Sequence, residues 1–133
     1  LVVLPWDEYE IYGHADGLVR YVGNNHVLVT NYDRFNKGFT RKVIKTLQEH
    51  FSEVYKLEYN VPEQHEHNWA YINWLQTDKV LMIPSFGCLE DEQAFEQIAS
   101  FMPMYKGRIE MVRASDLVRH EGCLNCASWT VRM

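Results

Sequence analysis

A chain of 133 residues with 47% hydrophobic and 23% charged side chains can bury one core and is too apolar for a disordered tail. Its apolar runs, such as Val80–Ile83, are strand-sized, far below the roughly 20 residues of a membrane helix, and no charged-then-apolar leader marks secretion. A net charge of −5 without a basic patch speaks against nucleic acid, and three cysteines, an odd number, favour a reducing, cytoplasmic setting.

In chain order, Leu1-Val-Val-Leu4 looks like an interrupted strand, and the opening leucine suggests a piece of a longer protein. Leu18–Val22 has a strand pattern, Gly23-Asn-Asn25 a turn, and His26–Tyr32 a second strand. From about Lys37 to Phe51, Phe39, Val43, Ile44, Leu47 and Phe51 recur at helical spacing. Val54–Tyr59 is a third strand, ended by Pro62. The layout then returns. Tyr71–Leu75 is read as a strand, Thr77-Asp78 as a turn, and Lys79–Ile83 as a strand stopped at Pro84. A helix over Glu90–Phe101 turns Phe95, Ile98 and Ala99 inward, and Gly107–Val112 closes the copy. Laying Leu18 on Tyr71 carries His26 onto Lys79, so the chain is an α/β protein holding two ββαβ units. Repeat one covers about 14–62 and repeat two about 67–113. Ser115–Val118 is expected to be a short helix capped by Ser115, and about 122–132 a terminal strand. Units this small bury a sheet face only against neighbours, which points to an array.

Gly13-His-Ala-Asp-Gly17 sets His14 and Asp16 two apart, on one side of an extended segment. They pair a proton carrier with a cation-binding carboxylate, although a solvated loop would look the same. Asn73 stands in an apolar run, where its amide needs partners, as a structural bridge or a substrate ligand. Arg20 is its counterpart in the first unit. Cys123 and Cys126 are spaced as half a zinc site or a redox pair. The other zinc half is missing, since Cys88 stands alone and His65 and His67 lie in a polar loop. A redox pair belongs at a helix start, whereas Ala-Ser-Trp-Thr-Val131 is strand-like. That leaves one working thiol near a histidine, with the other cysteine buried.

Five stretches in order resemble the agmatine deiminase and bacterial peptidylarginine deiminase family: GHADGLVRYV (13–22), NNHVLVTNY (24–32), YINWLQTDKVLMIP (71–84), DEQAFEQI (91–98) and EGCLNCASWT (121–130). The resemblance implies a pentein-type α/β propeller, a ring of five ββαβ units of which this chain would hold about two and a terminal strand. It implies a hydrolase acting on the C–N bond of a guanidino substrate, agmatine or an arginine side chain, through a cysteine thiouronium intermediate. By position, His14 matches the catalytic histidine, Asp16 the carboxylate that grips the guanidinium, Cys126 the nucleophile and Asn73 an active-site asparagine. No metal or cofactor is implied, nor a membrane partner. Cys123 and Asn125 stand where the family often has glycine and histidine, which leaves the substrate subclass open. Glu8 and Glu10 lie too near His14 to replace the family's N-terminal carboxylates. An amidinotransferase or dihydrolase of the same superfamily, and a noncatalytic pentein fragment serving assembly, are the competing expectations. A partial ring would expose sheet edges, so a homo-oligomer is expected.

Overall fold

Gly23, Asn24 and Asn25 carry φ values of 100°, 52° and 61°. Left-handed backbone at two successive asparagines is what a two-residue type I′ hairpin requires. It folds β1 (Val19–Gly23) back as β2 (His26–Val29), with Val19 opposite Val29 and Tyr21 opposite Val27. The structure, a computed structural model, describes residues 1–8 and 14–131. Helix α1 (Asp33–Gln48) crosses over, and β3 (Glu53–Lys56) pairs parallel to β2. The second unit repeats this topology. β4 (Leu75–Gln76) is antiparallel to β5 (Leu81–Ser85), α2 (Glu90–Phe101) crosses over, and β6 (Ile109–Arg113) runs parallel to β5. The two sheets have the same order, β1-β2-β3 and β4-β5-β6.

The uniform spacing between copies breaks at the second hairpin. Its loop, Thr77–Val80, is longer than Asn24-Asn25, so β5 starts at Leu81 and not at Lys79. Thr77 ties this loop, its Oγ1 accepting from Lys79 and Val80 N–H at 3.2 and 3.1 Å. β5 also continues through Pro84, which pairs with Val112 of β6. A proline is tolerated there because β4 covers only Leu81 and Met82, leaving the other edge of β5 unpaired beyond them.

Four expected elements differ. Most of Tyr71–Leu75 is a 3-10 turn, Asn68–Ile72, with only Leu75 and Gln76 in a strand. Ala70 to Trp74 are all buried, so the run has no exposed face to impose a strand's alternation. Ser115 does not cap a helix; its Oγ donates to Phe86 O at 3.5 Å, and a 3-10 turn follows at Val118–His120. The terminal strand is absent from the described residues: Ala127 N donates to Cys123 O at 3.0 Å and Ser128 N to Asn125 O at 3.2 Å, which is a helical turn. Leu1–Leu4 is irregular.

Helix α1 contains a kink at Asn36, whose φ of −152° and ψ of 89° are extended. The Asn36 side chain accepts from Phe39 N at 2.9 Å, so it is the true N-cap of the helix expected from Lys37. Asn36→Ala should cost about 1 kcal/mol of stability, read from the urea midpoint at unchanged m-value. From this cap, Phe39, Val43 and Leu47 pack onto Val27 and Val29 of β2.

Leu28 points the other way, into a larger core with Leu57, Tyr71, Trp74, Ile83 and Ile98 that joins the two units. On α2 the buried positions are Ala94 and Ile98, while Phe95 and Ala99 are only half-buried. The opposite flank of α2 clamps the chain that leaves β3. Gln97 accepts from Glu58 N and donates to Glu58 O, at 2.9 and 2.8 Å, and Gln93 does the same at Asn60, at 2.7 and 3.3 Å. Two glutamines thus supply a strand's ladder bonds from a helix and fix unit one against unit two. Asp91, in the first turn of α2, accepts from Tyr71 Oη at 2.6 Å and from Gly87 N at 2.7 Å. That network anchors the 3-10 turn leading to Asn73.

Candidate active site

Asn73 ends the Asn68–Ile72 turn and is fully buried, at 0% exposure. An amide so placed must find its partners in the protein, and it finds them in two distant segments. Its Oδ1 accepts from Cys123 N at 3.1 Å and Cys126 N at 3.3 Å. Its Nδ2 lies 3.0 Å from Asp16 Oδ2, 3.3 Å from Asp16 O and 3.3 Å from Cys126 Sγ. Its backbone carbonyl accepts from Asn125 N at 3.0 Å. Asn73 therefore bridges the Asp16 turn to the cysteine turn beneath the Asp16 carboxyl and the Cys126 thiol, which explains why the 122–131 segment coils here instead of extending.

Asp16 lies in the 3-10 turn Ala15–Gly17 that leads into β1. Its Oδ2 accepts from Asn125 Nδ2 at 2.9 Å and from the Cys126 thiol at 3.2 Å. Burial pushes the Asp16 carboxyl up, but the hydrogen bonds from Cys126, Asn125 and Asn73 outweigh it and hold it below the usual carboxylate range. His14 precedes the turn and is exposed. One ligand atom from each of His14, Asp16 and Cys126 lies within 4.8 Å of the others, although Asp16 and Cys126 are 110 positions apart. Imidazole, carboxylate and thiolate could hold a zinc-like cation, and the same donors suit thiol chemistry on a cation. Among the described residues no other group of three or more such side chains converges.

The two cysteines have opposite environments. Cys126 is exposed, whereas Cys123 is in the core at 0% exposure, its thiol pushed up to about 11 by burial. Gly122 is required by its neighbour: a Cβ there would stand 2.9 Å from Cys126 Cβ.

The family model of the Porphyromonas-type peptidyl-arginine deiminases matches residues 4–131. The chain belongs to that family. Its fold is similar to the agmatine deiminase of C. jejuni, at 21% identity and a TM-score of 0.67 over 86% of this chain and 37% of that one. It is similar to the agmatine deiminase of Enterococcus faecalis at 18% and 0.65, over 85% and 38%. SxtG, an amidinotransferase from Microseira wollei, matches at 16% and 0.51, over 90% and 31%. No curated protein matches. The two repeats are thus those of the pentein-type α/β fold, and the chain spans under two fifths of these relatives' length.

In this deiminase-family site, reading the sequence left Asn125 without a role, yet its amide holds Asp16. A polar amide between two cysteines was the available signal. Arg20 is not a solvated strand residue: its Nη2 donates to Trp74 O at 3.1 Å and its guanidinium lies 5.3 Å from the Trp74 ring centroid. Burial lowers the Arg20 pKa while the charges of Asp16 and Cys126 raise it, so its cation faces the site from β1. His65 stacks on Phe86 at 5.5 Å and 7°, and His67 Nδ1 is 3.5 Å from Glu66; among the described residues neither joins a metal cluster. Glu10 and Gly13 lie outside the described residues. A cavity of about 920 Å³ lies between Val2–Asp7 and the α1 side of the first sheet, and His14 shares its lining while Asp16 and Cys126 do not. His14 stands at the rim of that space.

Proposed function

We propose that this chain carries the nucleophile half of a guanidino-group hydrolase, of the agmatine or peptidylarginine deiminase type. The supporting observation is the convergence of His14, Asp16 and Cys126 within 4.8 Å. A guanidinium carbon is a poor electrophile because its charge is spread over three nitrogens, and a thiolate is a nucleophile strong enough to add to it. Asp16, kept ionised below the usual range, accepts guanidinium N–H bonds, displacing the Cys126 thiol from its Oδ2. Cys126 gives its proton to His14 and attacks the carbon, and His14 passes that proton to the departing ammonia. With ammonia gone, His14 takes a proton from water, which hydrolyses the thiouronium and returns a ureido product. Asn73 takes no substrate bond in this scheme; it holds Asp16 and Cys126 in register from below.

The test offers agmatine, free arginine and an arginine peptide to the protein and follows ammonia and ureido product. In parallel, the rate of Cys126 carbamidomethylation by iodoacetamide is measured with each compound. Ureido product from one of the three, and slower labelling of Cys126 by the same compound, are expected. Transfer of the amidino group to an added amine, with no ammonia, would instead identify an amidinotransferase. Neither turnover nor protection with any guanidino compound would sink the assignment.

A further inference from the structure

Cys123 and Cys126 occupy one helical turn, closed by the Ala127 N to Cys123 O bond at 3.0 Å. Residues three apart in such a turn have Cα atoms about 5 Å apart, inside the window a disulfide needs. The two N–H groups point at one acceptor, Asn73 Oδ1, which holds the turn in that shape from below. Asn125, between them, is tied back by its N–H to Asn73 and by its amide to Asp16. The strand that would have pointed these side chains apart is not there. Cys88, the remaining cysteine, is engaged elsewhere, 3.3 Å from Tyr71 Oη.

We infer that Cys123 is a resolving thiol for Cys126, and that a hydroperoxide converts the pair to a disulfide closing one turn over Asn73. The order of events follows from exposure. Cys126 faces solvent and meets the oxidant first, giving a sulfenic acid and water: Cys126–SH + H2O2 → Cys126–SOH + H2O. The Cys123 sulfur then displaces the hydroxyl, Cys126–SOH + Cys123–SH → Cys126–S–S–Cys123 + H2O. Two electrons pass from the two thiols to the peroxide. Burial keeps Cys123 protonated, so it does not react with peroxide on its own; Asp16, 3.2 Å from the Cys126 sulfur, is the nearest base for the proton released at the site. A hydroperoxide would otherwise drive an exposed thiol on to sulfinic acid, which thiols do not reverse. A resolving neighbour stores the oxidation in a reducible bond. That this also switches off the enzyme rests on Cys126 being the nucleophile, as proposed above; the bond itself does not.

The experiment treats the protein with one to a few equivalents of hydrogen peroxide and reads intact mass, iodoacetamide-accessible thiols and peptide maps. Expected is a loss of about 2 Da, a cross-linked peptide joining Cys123 to Cys126, Cys88 still free, and full recovery with dithiothreitol. Cys123→Ala should instead gain oxygen at Cys126 and recover only in part. A gain of 32 Da on Cys126 in the unmodified protein, with Cys123 still a thiol, would overturn the inference. So would a disulfide to Cys88, or identical behaviour of Cys123→Ala. Because the readout is mass, a failed deiminase assay leaves this result standing, and a missing disulfide leaves the deiminase assignment standing.

Discussion

Cys126→Ala is expected to lower turnover of the guanidino substrate by about 10⁴-fold or more, with the melting curve little changed. The side chain is exposed and, among the described residues, its sulfur hydrogen-bonds to Asp16 and Asn73 at the surface, so truncation opens no cavity. The whole loss would then be chemical, because no other group near the guanidinium carbon can form the covalent intermediate: Cys123 is sealed in the core and Cys88 lies against Tyr71 and Asp91. Cys123→Ala is the informative control. It should cost about 1 kcal/mol for the small hole it leaves and keep turnover within about threefold. A companion His14→Ala should lose turnover on a comparable scale, since the same imidazole serves ammonia loss and the hydrolysis that follows. Turnover insensitive to Cys126→Ala would remove the covalent mechanism altogether.

How far the sequence leads depends on where each segment finds its hydrogen bonds. Helix α2 lies at Glu90–Phe101, as its periodicity implies, because its backbone bonds are local. Helix α1 proper starts after Asn36, and an asparagine cap is a local signal that periodicity alone passes over. Both ββαβ units were legible for the same reason, since hairpin and crossover partners are near neighbours in the chain. The segment Cys123–Val131 was not. Its Trp, Thr and Val favour a strand, but a strand needs a paired neighbour, and the Asn73 amide about fifty positions earlier offers its N–H groups a turn instead. The same long-range bond hid the local shape of the CxxC segment, which is a turn and not the strand its composition suggests. At the site, His14, Asp16 and Cys126 were identified through ordered motifs; their common position depends on Asn73 and Asn125, whose partners no spacing rule gives.

Asn73→Ala should therefore be the most damaging single substitution in the site outside the three converging side chains. It leaves Cys123 N–H, which is buried, and Cys126 N–H without acceptors, and removes a donor from Asp16. Unpaired buried donors cost about 1–3 kcal/mol each, so a loss of about 3 kcal/mol in unfolding free energy is expected. The effect on turnover should be of another kind. Without the Nδ2 bond one of the three side-chain contacts that depress the Asp16 pKa is gone, so that pKa rises toward the ordinary carboxylate value. A carboxylate whose folded pKa is depressed works above that pKa and fails as pH falls through it; raising the pKa moves the acid limb of the pH–rate profile to higher pH. Asn73→Asp, which keeps the acceptor but adds a charge beside Asp16, should restore much of the turn while pushing the acid limb further up. A purely structural role would lower the amount of folded protein and leave the limb where it was. An unmoved acid limb in both variants, with stability reduced, would show that Asn73 only supports the turn and does not set the charge of Asp16.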